Sequence, residues 1–402
     1  MMRFNLRHHI SAIIIVICVM PAGNSMLISH ESEIQDSLIC ETIDFLSFNG
    51  SLANQSVHEQ VDMGPRTPGS NGSHSLRMYL LDHLRGWDLT FQNHQYKELN
   101  ITNVEAVYNS GMGNIVVLMA HYDTRQLADS VLSNNESPPD GANDGASGVA
   151  ALLELGRIIP ELGLNHEIRL VFTDAEDQGN LDESKNVTSI PWATGSQRWV
   201  ENLSQTEIDG ISSLIVLDMI GDKDLDFGKT IPANNTLWDI TQRLAKLMGL
   251  VESETDCDGE LGEPVFDISD VNYITDDHVP PHNVGIPVMD IIDIRYGSEE
   301  VLSGHWHTEN DTIDKVSADS LEKVGKLVEL GLRLGMWSGS NSTSNDSNSN
   351  SSLSSNDPIS DTSIENEENT YRLMIGLFVF LFILISSLAG AWVIFAEKQG
   401  EV

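Results

Sequence analysis

Cationic side chains are scarce in this chain. Its 402 residues hold 22 Lys and Arg against 60 Asp and Glu, a formal net charge of −38. A nucleic-acid partner needs a basic patch that neutralises phosphates, so this balance argues against one. It decides nothing about the fold. Cysteine is scarcer still, with three residues. Cys18 lies in an apolar N-terminal run. Cys40 and Cys257 can close one bridge, but two isolated cysteines exclude a disulfide framework, and their spacing fits no zinc knuckle. No internal repeat is present. From about Ser338 to Asn369 residues able to build a core are almost lacking, which excludes a packed domain there. That stretch of Ser, Asn, Asp, Thr and Glu reads as a disordered stalk over 338–370. Its Asn341-Ser-Thr343, Asn345-Asp-Ser347 and Asn350-Ser-Ser352 are glycosylation acceptors where a host has that machinery.

What is present starts with two apolar segments. Arg3, Arg7, His8 and His9 precede the run Ile10–Met20, and small residues follow around Ala22 to Ser25. This layout predicts a signal peptide over 1–25, with an uncleaved anchor as the alternative. Near the other end, Leu373–Ala396 carries no charge. At about 1.5 Å per residue it reaches across a hydrocarbon core of about 30 Å, which predicts a transmembrane helix over 371–396 and a short tail over 397–402. The basic N-terminal flank is expected to stay inside. The part between the two segments is then extracellular, on a single-pass membrane protein.

Between residues 37 and 337 the pattern is α/β. Strand-length apolar runs fall at Ile115–Ala120, Ile168–Thr173, Leu214–Met219 and Val288–Ile294. Helical patterns lie between them at Ala146–Ile159, Gly195–Leu203, Leu237–Gly249 and Ala318–Leu334. Short, continuously apolar strands alternating with helices predict a mainly parallel sheet covered on both faces. Ligands of such sheets bind outside the carboxyl ends of the strands.

Chemistry-bearing residues cluster at those ends. The segments are Met119-Ala-His-Tyr-Asp123, Gly141-Ala-Asn-Asp-Gly145, Asp174-Ala-Glu-Asp177 and His305-Trp-His-Thr308. They offer His121, Asp144, Asp177 and His307 as ligands, and Asp218 adds a fifth. Imidazole nitrogen and carboxylate oxygen are what a catalytic zinc takes when it keeps an open position. Glu176, free beside Asp177, has the character of a general base. In His121-Tyr-Asp123 the alternation of a strand aims both side chains one way, so Asp123 can orient His121. Asp144 precedes a helix and is either an N-cap or a ligand. Asp218 stands inside the apolar run Leu214–Ile220, where a carboxylate is costly unless paired or metal-bound. Asp276-Asp277-His278 opens a segment with Pro280 and Pro281. There it is either a capped helix start or a site in which Asp276 bonds the base or a substrate amine. Of His305 and His307, the second leads into the acidic Glu309-Asn-Asp311 and is preferred.

In this order these motifs resemble the zinc aminopeptidase family that also contains the animal-type glutaminyl-peptide cyclotransferases. Asn143-Asp-Gly-Ala-Ser-Gly148, Leu217-Asp-Met-Ile-Gly221, Gly285-Ile-Pro287 and Trp306-His-Thr308 carry the likeness, and Gly64-Pro-Arg-Thr-Pro-Gly-Ser70 extends it. It runs from about residue 60 to residue 335. The resemblance implies a three-layer α/β/α sandwich with a mixed, centrally parallel sheet, acting on peptide or protein N-termini. For an aminopeptidase it implies two zinc ions. His121 and Asp218 would hold one, Asp177 and His307 the other, and Asp144 would bridge them, with Glu176 as base. For a cyclotransferase it implies one zinc on Asp144, Asp177 and His307. Glu176 would then shuttle a proton from the α-amine to departing ammonia, and Asp276 and Asp218 would orient the pair.

Three features favour cyclisation of an N-terminal glutamine: Trp306 before the metal histidine, Asp177 rather than Glu after the base, and the run Trp192–Trp199. Two favour hydrolysis of the first peptide bond. All five two-metal ligands are present, and Asp290, also a candidate substrate-binding residue, stands where animal cyclotransferases carry a histidine. An inactive binding ectodomain is the third reading, and the complete ligand set opposes it.

Overall fold

Residues 33–129 and 137–339 are described by the structure, a computed structural model. All belong to the first of two compact units, residues 1–343. The expected signal peptide, the stalk beyond residue 339, the transmembrane helix over 371–396 and the tail lie outside the described residues. Among the described residues, no helix is long and apolar enough to cross a membrane.

A helix over 33–43 leads into α1 (Gly50–Asp62) and α2 (Asn71–His83). Strands β1 (Asp88–Tyr96) and β2 (Leu99–Tyr108) form an antiparallel hairpin. Then follow β3 (Ile115–His121), α3 (Ala146–Ile158), β4 (Glu167–Thr173), α4 (Thr194–Asn202), α5 (Gln205–Gly210) and β5 (Ile211–Asp218). Beyond them lie β6 (Phe227–Ile231), α6 (Asn235–Leu247), β7 (Phe266–Tyr273), α7 (Val279–Asn283), β8 (Val288–Ile292) and α8 (Ala318–Arg333). The main sheet runs β1-β2-β4-β3-β5-β8, and β6 and β7 pair separately. From β4 to β8 neighbouring strands are parallel; β2 joins β4 antiparallel. The sheet is therefore mixed with a parallel centre: the apolar runs indicate the parallel centre, and the resemblance implies the mixed order.

Side chains of these central strands alternate between two apolar layers, so both faces are covered. Val116, Leu118 and Ala120 of β3 face one core together with Val149 and Leu152 of α3 and Val324 and Val328 of α8. Val117 and Met119 face a second core built with Trp199 and Val200 of α4. Close packing at the first helix depends on Gly148, where a Cβ would stand 2.1 Å from the carbonyl oxygen of Leu217. Cys40 and Cys257 form a disulfide, which ties the helix over 33–43 to the segment after α6. A groove of about 950 Å³ is lined by Ile34, Leu38, Ser212, Pro287, Trp337 and Gly339 among others. Ser212 and Pro287 mark the amino ends of β5 and β8, so both ends of the described chain emerge at the pole opposite the strand carboxyl ends.

Candidate metal centre

Strand order brings the predicted ligands together. His121 ends β3, Asp218 ends β5, and Glu176 and Asp177 sit in the loop just after β4. All are buried. The Nε2 atom of His121 lies 3.1 Å from Oδ1 of Asp144 and 3.2 Å from Oδ1 of Asp218. That of His307 lies 2.8 Å from Oδ1 of Asp177 and 3.6 Å from Oδ2 of Asp144. Asp144 thus offers one oxygen to each imidazole, the arrangement of a bridging carboxylate. In each trio the ligand atoms converge within 4.8 Å, as do those of His121, Glu176 and Asp177. Metal–ligand bonds of about 2.0–2.2 Å around a tetrahedral ion separate the ligand atoms by roughly 3.4 Å. The donor types and spacings fit zinc in either trio.

Asp144 is not an N-cap. Gly145 takes the position before α3, at φ +95°, and no side chain caps that helix. A Cβ on Gly145 would press within 2.9 Å of the Asp123 carbonyl and 3.2 Å of the His121 ring. The glycine frees the Asp144 carboxylate to face the imidazoles. The carboxylate of Asp311 fixes the loop by accepting the N–H of Asn143 at 2.8 Å, the N–H of Asp144 at 3.2 Å and the hydroxyl of Tyr296 at 2.8 Å. Buried Arg66 fastens the other side. It donates to the carbonyls of Tyr122, Asp140 and Gly141, which joins the end of β3 to the Asp144 loop.

Asp123 behaves differently from the expectation. Its carboxylate lies 3.5 Å from Nδ1 of His121, too long for a good hydrogen bond. It accepts instead from the N–H groups of Glu176 (3.0 Å) and Asp177 (3.3 Å) and from Nε2 of Gln178 (2.8 Å). Asp123 therefore mainly shapes the turn that carries the base and the ligand, a turn in which Ala175 adopts φ +62°.

Electrostatics agree with a site built for cations. Burial, then the neighbouring Asp177 and Asp276, raise the Glu176 carboxyl well above the carboxylate range. Asp144 is pushed up to about 8 by burial and by Asp177. For His307 burial opposes charging, but Asp177, Asp129 and Asp144 outweigh it and raise the ring to about 9. Bound cations would do the work these shared protons otherwise do.

The remaining candidates flank the trios. Trp306 stacks on His307 with ring centroids 3.6 Å apart, and Trp192 lies nearly parallel to the same ring at 5.6 Å. His305 turns away against Tyr296. Oδ1 of Asp276 accepts the Asp277 N–H, while Oδ2 has no protein partner. Asp290, expected near substrate, is buried on β8 beside His278 and Asp276 and is closed to solvent. Sequence reasoning did not assign these roles to Arg125, Asp129, Asp311 or Arg66; Arg66 stands inside the quoted Gly64–Ser70 motif, and the partners of all four that matter here lie far away in the chain.

Strand ends and loops that together deliver two imidazole–carboxylate trios and an adjacent glutamate define an α/β metalloenzyme-type site. Residues 103–330 match the model of peptidase family M28, and the chain belongs to that family. It is 27% identical over 234 residues to Aminopeptidase YwaD of Bacillus subtilis, a match covering 57% of this chain and 43% of that protein. The glutaminyl cyclase of Porphyromonas gingivalis is similar at 30% identity and a TM-score of 0.60, over 71% of this chain and 98% of that one. A Zn-dependent exopeptidase from Parabacteroides distasonis is similar at 28% identity and a TM-score of 0.62, over 72% and 98%.

Proposed function

We propose that this protein is a zinc-dependent glutaminyl-peptide cyclotransferase, which converts an N-terminal glutamine to pyroglutamate with release of ammonia. The observation that carries this choice is the stacking of Trp306 on His307, with Trp192 parallel beyond. These indoles make an aromatic wall at the metal histidine that suits a small side chain folding back on its own amine. Asp144, Asp177 and His307 would hold the zinc, which supplies Lewis-acid polarisation of a carbonyl oxygen.

The chain's own groups do the rest. The α-nitrogen attacks the side-chain carbonyl carbon, a C–N bond forms, and the bond to the side-chain nitrogen breaks. Glu176 takes the proton from the α-amine and returns it to the leaving nitrogen, which departs as ammonia. Its buried setting, with Asp177 and Asp276 close by, raises its carboxyl above the usual range and so makes it a stronger base than an exposed glutamate. Asp276 and Asp218 orient the nitrogen atoms. The test is ammonia release from a Gln-initiated peptide incubated with the full chain, accompanied by loss of its free amine.

A second reading, a zinc aminopeptidase, rests on one observation: His121, Asp144 and Asp218 form a complete second trio, with Asp144 facing both imidazoles. Two ions would then be held. Release of free amino acids from Leu- or Ala-initiated peptides, without ammonia from Gln-initiated ones, would establish this reading over the first. The Cys40–Cys257 disulfide supports an extracellular catalytic domain, since such bridges persist in oxidising compartments. With the apolar run Leu373–Ala396 we place the protein at the cell membrane, with its site outside.

A further inference from the structure

The two imidazoles of the site are held in different ways. Nδ1 of His121 has no hydrogen-bond partner at good distance, because Asp123 is occupied by three other donors. His307 has a dedicated carboxylate. Its Nδ1 lies 3.1 Å from Oδ2 of Asp129, and the N–H of Asp129 donates back to the His307 carbonyl at 2.8 Å. One residue thus grips both the ring and the backbone of the ligand, at a position whose φ of +58° is uncommon for a residue other than glycine.

Asp129 is itself held. Arg125, buried, donates from Nε to Oδ1 of Asp129 at 2.9 Å and from Nη1 to the carbonyls of Asp177 (2.7 Å) and Gly179 (2.9 Å). Its guanidinium carbon lies 5.1 Å from the centroid of the Trp192 ring. That ring is seated on Gly179, where a Cβ would meet it at 2.2 Å. A single cation therefore ties together the backbone of one ligand, the carboxylate behind another, and one of the two indoles beside the metal histidine.

We propose that Arg125 and Asp129 form a positioning clasp that sets the zinc affinity of the Asp144–Asp177–His307 trio and leaves the His121–Asp144–Asp218 trio untuned. Donation from Nδ1 to Asp129 fixes the tautomer of His307 and leaves Nε2 with its lone pair towards Asp144 and Asp177. The inference rests on the reading of that trio as a zinc site.

Asp129→Asn suits the test, because the Asp129 side chain is 44% exposed and its loss leaves the core untouched. The full chain is stripped with chelator and titrated with zinc against a chromogenic competitor. The variant is expected to bind its tightest zinc about 10–100-fold more weakly than wild type, to melt at the wild-type temperature when metal-free, and to show a shifted visible spectrum when loaded with cobalt(II). Unchanged zinc affinity and an unchanged cobalt spectrum would overturn the clasp. Failure of the wild type itself to bind zinc would overturn the metal reading beneath it, and the clasp with it.

Discussion

Two clusters of buried acids lie side by side at the carboxyl ends of the strands, and they are satisfied in opposite ways. In the first, Asp144, Asp177 and Asp218 each face an imidazole nitrogen at 2.8–3.6 Å. In the second, Asp276, His278 and Asp290 bring ligand atoms within 4.8 Å of one another, yet neither nitrogen of His278 nor either oxygen of Asp290 has a hydrogen-bond partner. The 3.3 Å approach of His278 Nδ1 to Asp290 lacks the alignment of one. Burial raises the carboxyls of Asp276 and Asp290 well above their usual range and lowers His278 to about 3. The first cluster pairs each acid with an imidazole, while the second gives its acids no imidazole bond and burial disfavours their charge. Glu176 lies on the seam, raised by burial, by Asp177 of the first cluster and by Asp276 of the second. A base placed there borrows its basicity from both.

The sharpest test acts on that seam. Glu176→Gln should lower turnover by about 10²–10⁴-fold, the usual weight of a general base, with zinc content unchanged by elemental analysis. Loss of metal in this variant would mean that Glu176 is a ligand, and the division between clusters would fail. Next in size is Gly148→Ala. The added Cβ collides with the Leu217 carbonyl and displaces α3, which begins just after Asp144. We expect about 1–3 kcal/mol of lost stability, the ordinary cost of overpacking, together with weaker zinc binding. Denaturant titration and metal competition measure both.

Asp290→Asn should do much less. A neutral amide replaces a carboxyl already kept neutral, so zinc content should hold and the melting temperature should move by no more than about 2–4 °C, the equivalent of roughly 1 kcal/mol. Zinc loss here would break the comparison outright. A separate effect, read against pH rather than in metal content, belongs to Asp293, outside both clusters, whose carboxyl burial pushes up to about 8. An unfolded chain releases that proton near pH 3.9. The folded state therefore holds a proton that the unfolded state has lost, and stability falls as pH rises between those values. Asp293→Asn removes this fall. Its melting temperature should gain on wild type between about pH 5 and pH 8.5, and parallel melting curves across that range would contradict the assignment.

The four central strands are legible in the sequence because burial on both faces demands continuous apolar runs. The hairpin is not. β1 reads Asp88-Leu-Thr-Phe-Gln-Asn-His-Gln-Tyr96, where four consecutive polar residues from Gln92 to Gln95 break the alternation that marks a strand, and its turn uses Lys97 at φ +48° where glycine or asparagine would have signalled it. Four of the metal ligands are legible for a related reason: His121, Asp177 and Asp218 stand at or just beyond the end of a strand and Asp144 stands ahead of a helix, while His307 is marked only by its Trp-His-Thr context. Their supports are not. Arg125 acts on Asp177 across 52 residues, Asp311 on Asp144 across 167, and Asp129 on His307 across 178. No local pattern records such a partnership; only the folded loops do. Nor does the sequence disclose that Asp123 is diverted from His121 to the turn behind Glu176.

The groove at the amino ends of β5 and β8 has a practical corollary. Residues 34 and 339 both line it, while the metal ligand Asp218 ends β5 at its far tip, and eight residues of β5 span roughly 26 Å at about 3.3 Å each. A tag or fusion joined directly at residue 33 or 339 is therefore attached at the pole away from the metal ligands.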